Sequence, residues 1–239
     1  MASRMVCLIF LLLSFTLLTV CSKKIFKATK IGEGKIQYTG NVGNTQQSRL
    51  INCYFECQKN LKCLTFFYNN RTKTCVLHSK SFHYQDPDQQ DQDSKMYLIQ
   101  DEQSRCRYGT GRFLYYRELD LCYNFNPVSI VDYNGILRPT CASYGGKLIR
   151  IESQGKQSYI AYVLAGRTET RVGIQGHSFN SWNAWTYEDG TLLTYANWRV
   201  SPIAPKPGAW YLQIFTNDEW TEQDNYNALK NCTYICEIK

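Results

Sequence analysis

The 239-residue sequence contains only three histidines and three methionines, and it has a single long apolar run. His78, His83 and His177 have no neighbours at the spacing of metal ligands. Neither a Gly-x-Ser-x-Gly nucleophile motif nor a phosphate-binding glycine loop is present. Because these common catalytic and metal-binding patterns are missing, we expect a protein that is not an enzyme and holds no metal.

Cysteine, by contrast, is abundant, with 11 residues. Many cysteines with few histidines indicate disulfides, which require an oxidising compartment. Arg4 and the apolar run from Val6 to Val20 are typical of a secretory signal peptide, with cleavage after Ser22. A spanning helix needs ~20 apolar residues, so this run is short for a membrane anchor. We expect residues 1–22 to be a signal peptide and the protein to be secreted and extracellular, without a membrane span or a nucleic-acid partner.

The net positive charge lies in the segment that follows the signal peptide. Residues 23–100 contain 12 basic and 6 acidic side chains, whereas residues 101–239 contain 14 of each. Five lysines form a basic N-terminal arm: Lys23, Lys24, Lys27, Lys30 and Lys35. Such clusters are commonly solvated, but they also attract sulfated polyanions. A sulfated polyanion is therefore one candidate partner.

Four cysteines lie in a first module, which we place at residues 23–101. Cys53 and Cys57 are four apart, so they share one face of a helix predicted over residues 48–59. Cys63 precedes an aromatic strand (LTFFY, 64–68), and Cys75 begins a returning strand after a turn at Asn70. A helix clipped to such a hairpin favours the pairs Cys57–Cys63 and Cys53–Cys75. The spacing resembles that of the PAN/apple family, although another four-cysteine scaffold stays open.

The boundary between the modules is set by two neighbouring segments. Residues 85–93 (QDPDQQDQD) alone are typical of a linker, but residues 95–99 (KMYLI) indicate one more strand of the first module. We therefore place the boundary near residues 101–105. Asn70, in Asn-Arg-Thr, and Asn231, in Asn-Cys-Thr, are glycosylation acceptors.

The second module, residues 106–239, carries three ordered motifs. These are CASYGGKLIRIES at residues 141–153, WTYEDGTLLTYANW at 185–198 and YICE at 234–237. The set resembles the C-type lectin-like family closely. The resemblance implies a compact α+β domain, the disulfides Cys141–Cys236 and Cys106–Cys122, and a ligand face on the loop between Trp198 and Trp220. The whole chain is then an α+β, disulfide-stapled protein of two modules.

The sequence departs from the calcium and sugar motifs of that family. Sugar-binding members place side-chain oxygens on both sides of a loop proline and in a Trp-Asn-Asp triplet, because calcium needs 6–8 oxygen ligands. Here Pro202, Pro205 and Pro207 have no carboxylate or amide neighbour, and Thr221-Glu222 follows Trp220. We therefore expect no cofactor, with calcium as an alternative whose usual ligand motifs are absent.

A second departure concerns the cysteines. The positions expected for the family's second core disulfide, near Tyr211 and Asn225, lack cysteine, so Cys232 is left unmatched. It is either a buried thiol, a displaced partner of another cysteine, or an interchain bridge that makes a disulfide-linked dimer.

The candidate ligand contacts lie in and near the loop. The tryptophans Trp185, Trp198 and Trp220 are expected in the core, as in this family. The candidates are Arg199, Lys206, Trp210, Tyr211, Asn217, Asp218 and Glu222. A solvated loop edge is the alternative for the charged members. The leading hypothesis is an extracellular, lectin-like carbohydrate-binding protein that lacks the usual calcium–sugar site. The alternatives are a calcium-independent protein–protein interaction module and polyanion binding through the lysine arm.

Overall fold

The computed structural model divides the chain into two compact units. Unit 1 comprises residues 1–79 and 88–104, and unit 2 comprises residues 80–87 and 105–239. The residues it describes are 7–10, 18–21, 26–47, 49–82, 87–101, 106, 113–128, 132–165, 171–178, 184–199, 210–215, 219–224 and 232–239. None of the helices in these ranges is long and apolar enough to cross a membrane.

Unit 1 is a five-stranded antiparallel sheet with one helix, accompanied by a short hairpin. The hairpin pairs β1 (Cys7–Phe10) with β2 (Leu18–Cys21), inside the segment expected to be a signal peptide. The remaining elements are β3 (Phe26–Ile36), β4 (Gly43–Gln46), α1 (Leu50–Lys59), β5 (Thr65–Asn69), β6 (Thr74–His78) and β7 (Gln89–Asp101). The strand order is β3-β7-β5-β6-β4, so the aromatic strand β5 lies at the centre.

Helix α1 is fastened to the sheet by two disulfides. Cys53 and Cys57 are the buried residues of the helix. Cys53 bonds Cys75 on β6 across a Cα–Cα distance of 5.6 Å, and Cys57 bonds Cys63 just before β5 at 5.2 Å. The helix and hairpin predicted over residues 48–77 are therefore present, joined by the nested pairs that the spacing favours.

Two segments of unit 1 form longer strands than the sequence indicates. The lysine arm enters β3 at Phe26, so Lys27 and Lys30 lie in a strand that pairs with β7 along most of its length. The strand predicted over residues 95–99 is present as β7, which begins earlier, at Gln89 in the polar segment. In both cases backbone hydrogen bonding to a neighbouring strand orders a segment whose side chains are too polar to indicate a strand.

Unit 2 is a mixed α/β fold around a second sheet. Its strands are β8 (Leu114–Tyr116), β9 (Leu121–Val128), β10 (Lys147–Leu148), β11 (Arg171–Ser178), β12 (Trp210–Phe215), β13 (Trp220–Asp224) and β14 (Cys232–Ile238). Its helices are α2 (Arg138–Ser143), preceded by a π-helical turn over Tyr133–Leu137, and α3 (Gln154–Leu164). The strand order is β13-β12-β11-β14-β9-β8, and β10 pairs with β14. Only β11 and β14 run parallel among the strand pairs in the described ranges.

Local sequence signals explain the limits of the two helices in unit 2. Gly145, with φ of +76°, follows the end of α2 in the left-handed conformation that favours glycine. The Ser153 hydroxyl accepts a hydrogen bond from the Lys156 amide and caps the first turn of α3. Cys141 on α2 bonds Cys236 on β14, and Cys106 bonds Cys122 on β9. These are the pairs that the family resemblance implies.

Candidate functional site

The candidate ligand face is built around Trp220, the first residue of β13. Its side chain is fully buried, and its indole N–H donates to the Gln157 side-chain oxygen on α3 at 2.8 Å. The ring of Trp198 meets it edge-on, with centroids 6.0 Å apart. Trp185, also buried, lies 5.9 Å from Trp198. The three tryptophans therefore form a packed cluster, as the sequence predicts, with Trp198 only half-buried.

Backbone contacts fix both ends of the segment between Trp198 and β12. At its start, the Trp220 amide donates to the Asn197 carbonyl at 2.7 Å, and the Arg199 amide donates to the Trp220 carbonyl at 3.0 Å. At its end, Trp210 pairs with Asp224 on β13 and with Ser178 on β11. Residues 200–209 lie outside the described residues. The residue before them, Arg199, is hydrogen-bonded to the first residue of β13, and the residue after them, Trp210, begins β12.

Two arginines lie beside one aromatic ring at the end of the hairpin where β12 ends and β13 begins. Arg171 is paired across the sheet with Phe215, and its guanidinium carbon lies 5.3 Å from the centroid of the Phe215 ring. The guanidinium carbon of Arg199 lies at the same distance from that ring. The Arg199 Nε is 3.8 Å from a Glu219 carboxylate oxygen, with more than half of the arginine side chain exposed. An exposed pair of this kind is weak, so Arg199 keeps hydrogen-bonding capacity for a ligand.

The structure places the other predicted ligand contacts in different environments. Tyr211 is a correction, because it lies in β12 rather than in the loop and its side chain is only 3% exposed. Its ring stacks on Tyr133 at 3.8 Å, and its hydroxyl accepts from the Asn134 amide at 2.5 Å. Glu222 lies half-buried in β13. Lys206, Asn217, Asp218 and the side chain of Trp210 lie outside the described residues.

Sequence reasoning missed Arg171 and Phe215, which face each other at the ends of β11 and β12. They are 44 residues apart in the chain, and neither belongs to a motif. The available signal was that Arg171 precedes the alternating apolar residues Val172 and Ile174, and that Phe215 follows Leu212 and Ile214. Without the register of the two strands, that signal does not bring them together.

The described residues around Trp220 supply few oxygen ligands for calcium, with the half-buried Glu222 as one carboxylate. Thr221 has no carboxylate, and the Glu219 carboxylate faces Arg199. Within the described ranges, no three His, Cys, Asp or Glu side chains are grouped so that they could hold a metal ion. Calcium in proteins is bound by 6–8 oxygens, mainly from carboxylates and carbonyls.

A charged network fixes the turn that lies between Trp185 and Trp198 in the chain. Arg150 lies over the Tyr187 ring at 3.9 Å and donates to Asp189 at 2.7 Å. Hydrogen bonds from the Thr191 hydroxyl and amide, with the Arg150 charge, lower the pKa of Asp189 to about 2. Burial raises the pKa of the neighbouring Glu188 carboxyl. The turn is therefore held by ionised and hydrogen-bonded groups, which is consistent with a supporting role.

The remaining predicted sites concern modification and cross-linking. Asn70 is exposed in the turn between β5 and β6, with its side-chain oxygen accepting from Lys73 at 3.1 Å. Asn231 and the side chain of Cys232 lie outside the described residues, although the Cys232 backbone begins β14 opposite Val128.

The second half of the chain is similar to a known protein family and to part of a larger protein. Residues 136–238 match the family model for the lectin C-type domain. A region of 122 residues is 29% identical to the secretory phospholipase A2 receptor of Oryctolagus cuniculus, covering 49% of this chain and 8% of the receptor. The chain therefore spans less than a tenth of the length of this relative. Members of the lectin C-type family are generally not enzymes.

Solved structures resemble about half of the chain. The carbohydrate-recognition domain of the mouse scavenger receptor C-type lectin is 21% identical, with a TM-score of 0.43, over 50% of this chain and 89% of that one. Human lithostathine is 20% identical, with a TM-score of 0.45, over 57% of this chain and 94% of that one.

Proposed function

Because residues 136–238 form a C-type lectin-like domain, we propose that the chain is an extracellular carbohydrate-recognition protein that binds its glycan without calcium. The ligand face in this proposal lies on the β12–β13 hairpin and on the segment that leaves it at Arg199 and returns at Trp210. We place no catalytic residue there, because a recognition domain needs only a rigid frame and an exposed contact surface.

The single observation that carries the proposal is the anchoring of this segment on buried Trp220. Its backbone hydrogen-bonds to Asn197 and Arg199, and its indole is held by Gln157. A binding segment whose ends are fixed loses less conformational entropy when it binds. Arg199 then presents a guanidinium group, which can donate hydrogen bonds to sugar hydroxyl or carboxylate oxygens.

Calcium independence is supported by the donor set. Of the residues in the described part of the hairpin, Glu219 faces Arg199 and Thr221 stands where the family's sugar-binding members have asparagine. A cation at this place would meet a guanidinium group within the same cluster. Direct hydrogen bonds from arginine therefore replace coordination through a metal in the proposed mode of binding.

The proposal extends to the rest of the chain. We propose that residues 1–22 direct secretion, that residues 23–101 are a PAN/apple-like domain, and that Asn70 carries a glycan. Support for the PAN/apple assignment comes from the helix stapled to a hairpin by Cys53–Cys75 and Cys57–Cys63. Asn70 is supported by its exposure in a turn. Whether Cys232 links two chains is testable by gel mobility with and without reductant.

A glycan array tests the proposal, run with the full secreted chain in calcium and again in chelator. We expect the same glycans to bind in both conditions. Arg199→Gln is expected to weaken that binding, whereas Arg71→Gln, an exposed arginine paired with Asp93 in unit 1, is a matched control that leaves it unchanged. Binding that disappears in chelator contradicts the calcium-independent mode.

A protein ligand is the second candidate function. The relative at 29% identity is named as a receptor for secretory phospholipase A2, which is itself a protein. An array with no bound glycan in either condition favours this alternative over carbohydrate recognition. The two proposals use the same face, so Arg199→Gln remains the relevant variant for both.

Polyanion binding through the lysines is a third candidate function, which is tested by charge substitution rather than by deletion. Residues 26–36 form β3, so deleting the lysine arm removes most of a strand from the sheet. The charge substitution Lys27→Gln with Lys30→Gln changes exposed positions and keeps the strand. Unchanged retention of this variant on heparin argues against the lysine hypothesis.

A further inference from the structure

Helix α1 is apolar on two opposite faces. Cys53 and Cys57 face the sheet and are fully buried. Ile51 and Phe55, each two positions away from a cysteine, project about 200° around the helix axis from that face. They are respectively 49% and 46% exposed. A helix with apolar residues on all sides is normally buried on all sides.

The exposed apolar residues of the chain are concentrated on this helix. Six large hydrophobic side chains are exposed among the described residues, and four of them lie on α1 or in the turn after it. We call these four the α1 surface: Leu50, Ile51, Phe55 and Leu61. The other two, Ile136 and Leu192, are single residues in unit 2. Isolated exposed hydrophobics are ordinary, whereas several on one helix and the turn after it indicate an interaction surface.

Basic residues border the α1 surface. Arg49 precedes the helix, Lys59 ends it and Lys62 follows Leu61, and all three are exposed. The acidic residue of the helix, Glu56, has one carboxylate oxygen 3.4 Å from the Lys59 amine. The border therefore has three positive charges and one negative charge, in a segment (residues 23–100) with 12 basic and 6 acidic side chains.

We propose that the α1 surface docks on an anionic lipid membrane. Exposed apolar side chains on a helix and the turn after it, bordered by lysine and arginine, resemble the composition of interfacial helices that lie in the plane of a bilayer. The apolar group inserts among the acyl chains near the headgroups, while the basic border lies against phosphate and carboxylate groups. A cluster of basic residues near the membrane surface is attracted to anionic lipids.

The size and charge of the surface favour a membrane over a protein partner. Four half-exposed side chains are a small fraction of the roughly 800 Å² per partner that a stable protein interface buries. A second copy of the chain would bring two positively charged borders together, which disfavours a dimer through this face. A bilayer requires only shallow insertion and supplies negative charge. This inference concerns unit 1 and does not depend on the proposed glycan site.

Co-sedimentation with lipid vesicles tests the inference. The probes are vesicles of phosphatidylcholine alone and of phosphatidylcholine with phosphatidylserine, and the protein is the full secreted chain. We expect binding to the vesicles that contain phosphatidylserine and weakening as salt is added. Leu61→Ser is expected to reduce the affinity about tenfold. Removing the two charges in Arg49→Gln with Lys59→Gln is expected to reduce it about 30-fold.

The matched control is Leu192→Ser. Leu61 and Leu192 are 60% and 61% exposed, so the same substitution removes nearly the same apolar area from different units. Equal binding by the two serine variants overturns the proposal, as does the absence of binding to either vesicle. Equal binding to both vesicle types overturns the role of the basic border and the proposal with it. Dimerisation without vesicles that Leu61→Ser abolishes would assign the surface to a second copy instead.

Discussion

Replacing Gln157 by methionine removes the acceptor that holds the indole of Trp220. Both side chains are fully buried, and the bond between the indole nitrogen and the amide oxygen is 2.8 Å long. Methionine is also unbranched and similar in size, so the packing of α3 against the hairpin is largely kept. The change therefore leaves a buried indole N–H without this acceptor.

The magnitude follows from the burial. Leaving a buried donor without an acceptor costs about 1–3 kcal/mol, more than the net gain of forming an average hydrogen bond. With a urea m value of about 2 kcal/mol per molar, the denaturation midpoint is expected to fall by roughly 0.5–1.5 M. The same change weakens the anchor of Asn197 and Arg199, so glycan binding should fall along with stability.

Tryptophan fluorescence during urea unfolding is the suitable assay. All five tryptophans lie at positions 182 to 220, within unit 2, so the signal follows that unit alone. The matched control is Gln154→Met on the same helix. Gln154 also accepts one hydrogen bond, from the Tyr195 hydroxyl at 2.9 Å, but it is exposed. We expect this variant to change the free energy of unfolding by less than about 0.5 kcal/mol.

Comparing the two variants tests whether the buried hydrogen bond of the Trp220 indole stabilises the hairpin. If Gln157→Met and Gln154→Met shift the midpoint equally, burial of the Trp220 indole does not stabilise the hairpin in the way described. If Gln157→Met lowers stability but leaves glycan binding unchanged, the hairpin is stabilised by this bond while the ligand face lies elsewhere.

Two further predictions concern unit 2. Replacing both cysteines of Cys141–Cys236 by alanine opens a loop of 95 residues, and loop entropy predicts a loss of ~4.7 kcal/mol in the free energy of unfolding. The same replacement at Cys106–Cys122 opens a loop of 16 residues, for which the predicted loss is ~3 kcal/mol. Urea unfolding followed by fluorescence measures both, and the reverse ranking contradicts the entropic explanation. Burial, with the charge of Arg138, lowers the pKa of His177 in the folded state. The unfolded state then binds more protons, so stability should decline as pH falls through the ordinary histidine pKa of about 6.5. The variant His177→Gln should show a smaller decline between pH 7.5 and 5.5, and an unchanged slope argues against this assignment.

Features that depend on nearby residues could be predicted from the sequence. The four-residue spacing of Cys53 and Cys57 places both on the buried face of α1, and Ser153 begins α3 as a capping residue. The ordered motifs of the second module indicate the family that the comparison found for residues 136–238. In each case the signal lies within a short segment and does not depend on the conformation of the rest of the chain.

Other features required the tertiary structure. The lysines at 27 and 30 appear as part of an arm until β7 supplies a partner strand, although their side chains stay exposed. Tyr211 appears as a loop residue until Tyr133 and Asn134 enclose it. The strand pairing in the first case and the burial in the second are set by elements more than 50 residues away, about which the local sequence carries no information.

The scarcity of histidine and the wealth of cysteine determined by themselves that disulfides, rather than metal sites, are the expected cross-links. The spacing and family resemblance of those cysteines led to the four pairs found among the described residues. Only the tertiary structure decided that Arg171 meets Arg199 on Phe215, and that α1 carries a second apolar face in contact with solvent. The physical reason is that the register between distant strands fixes which side chains become neighbours, and a shift of one residue reverses the face on which each lies.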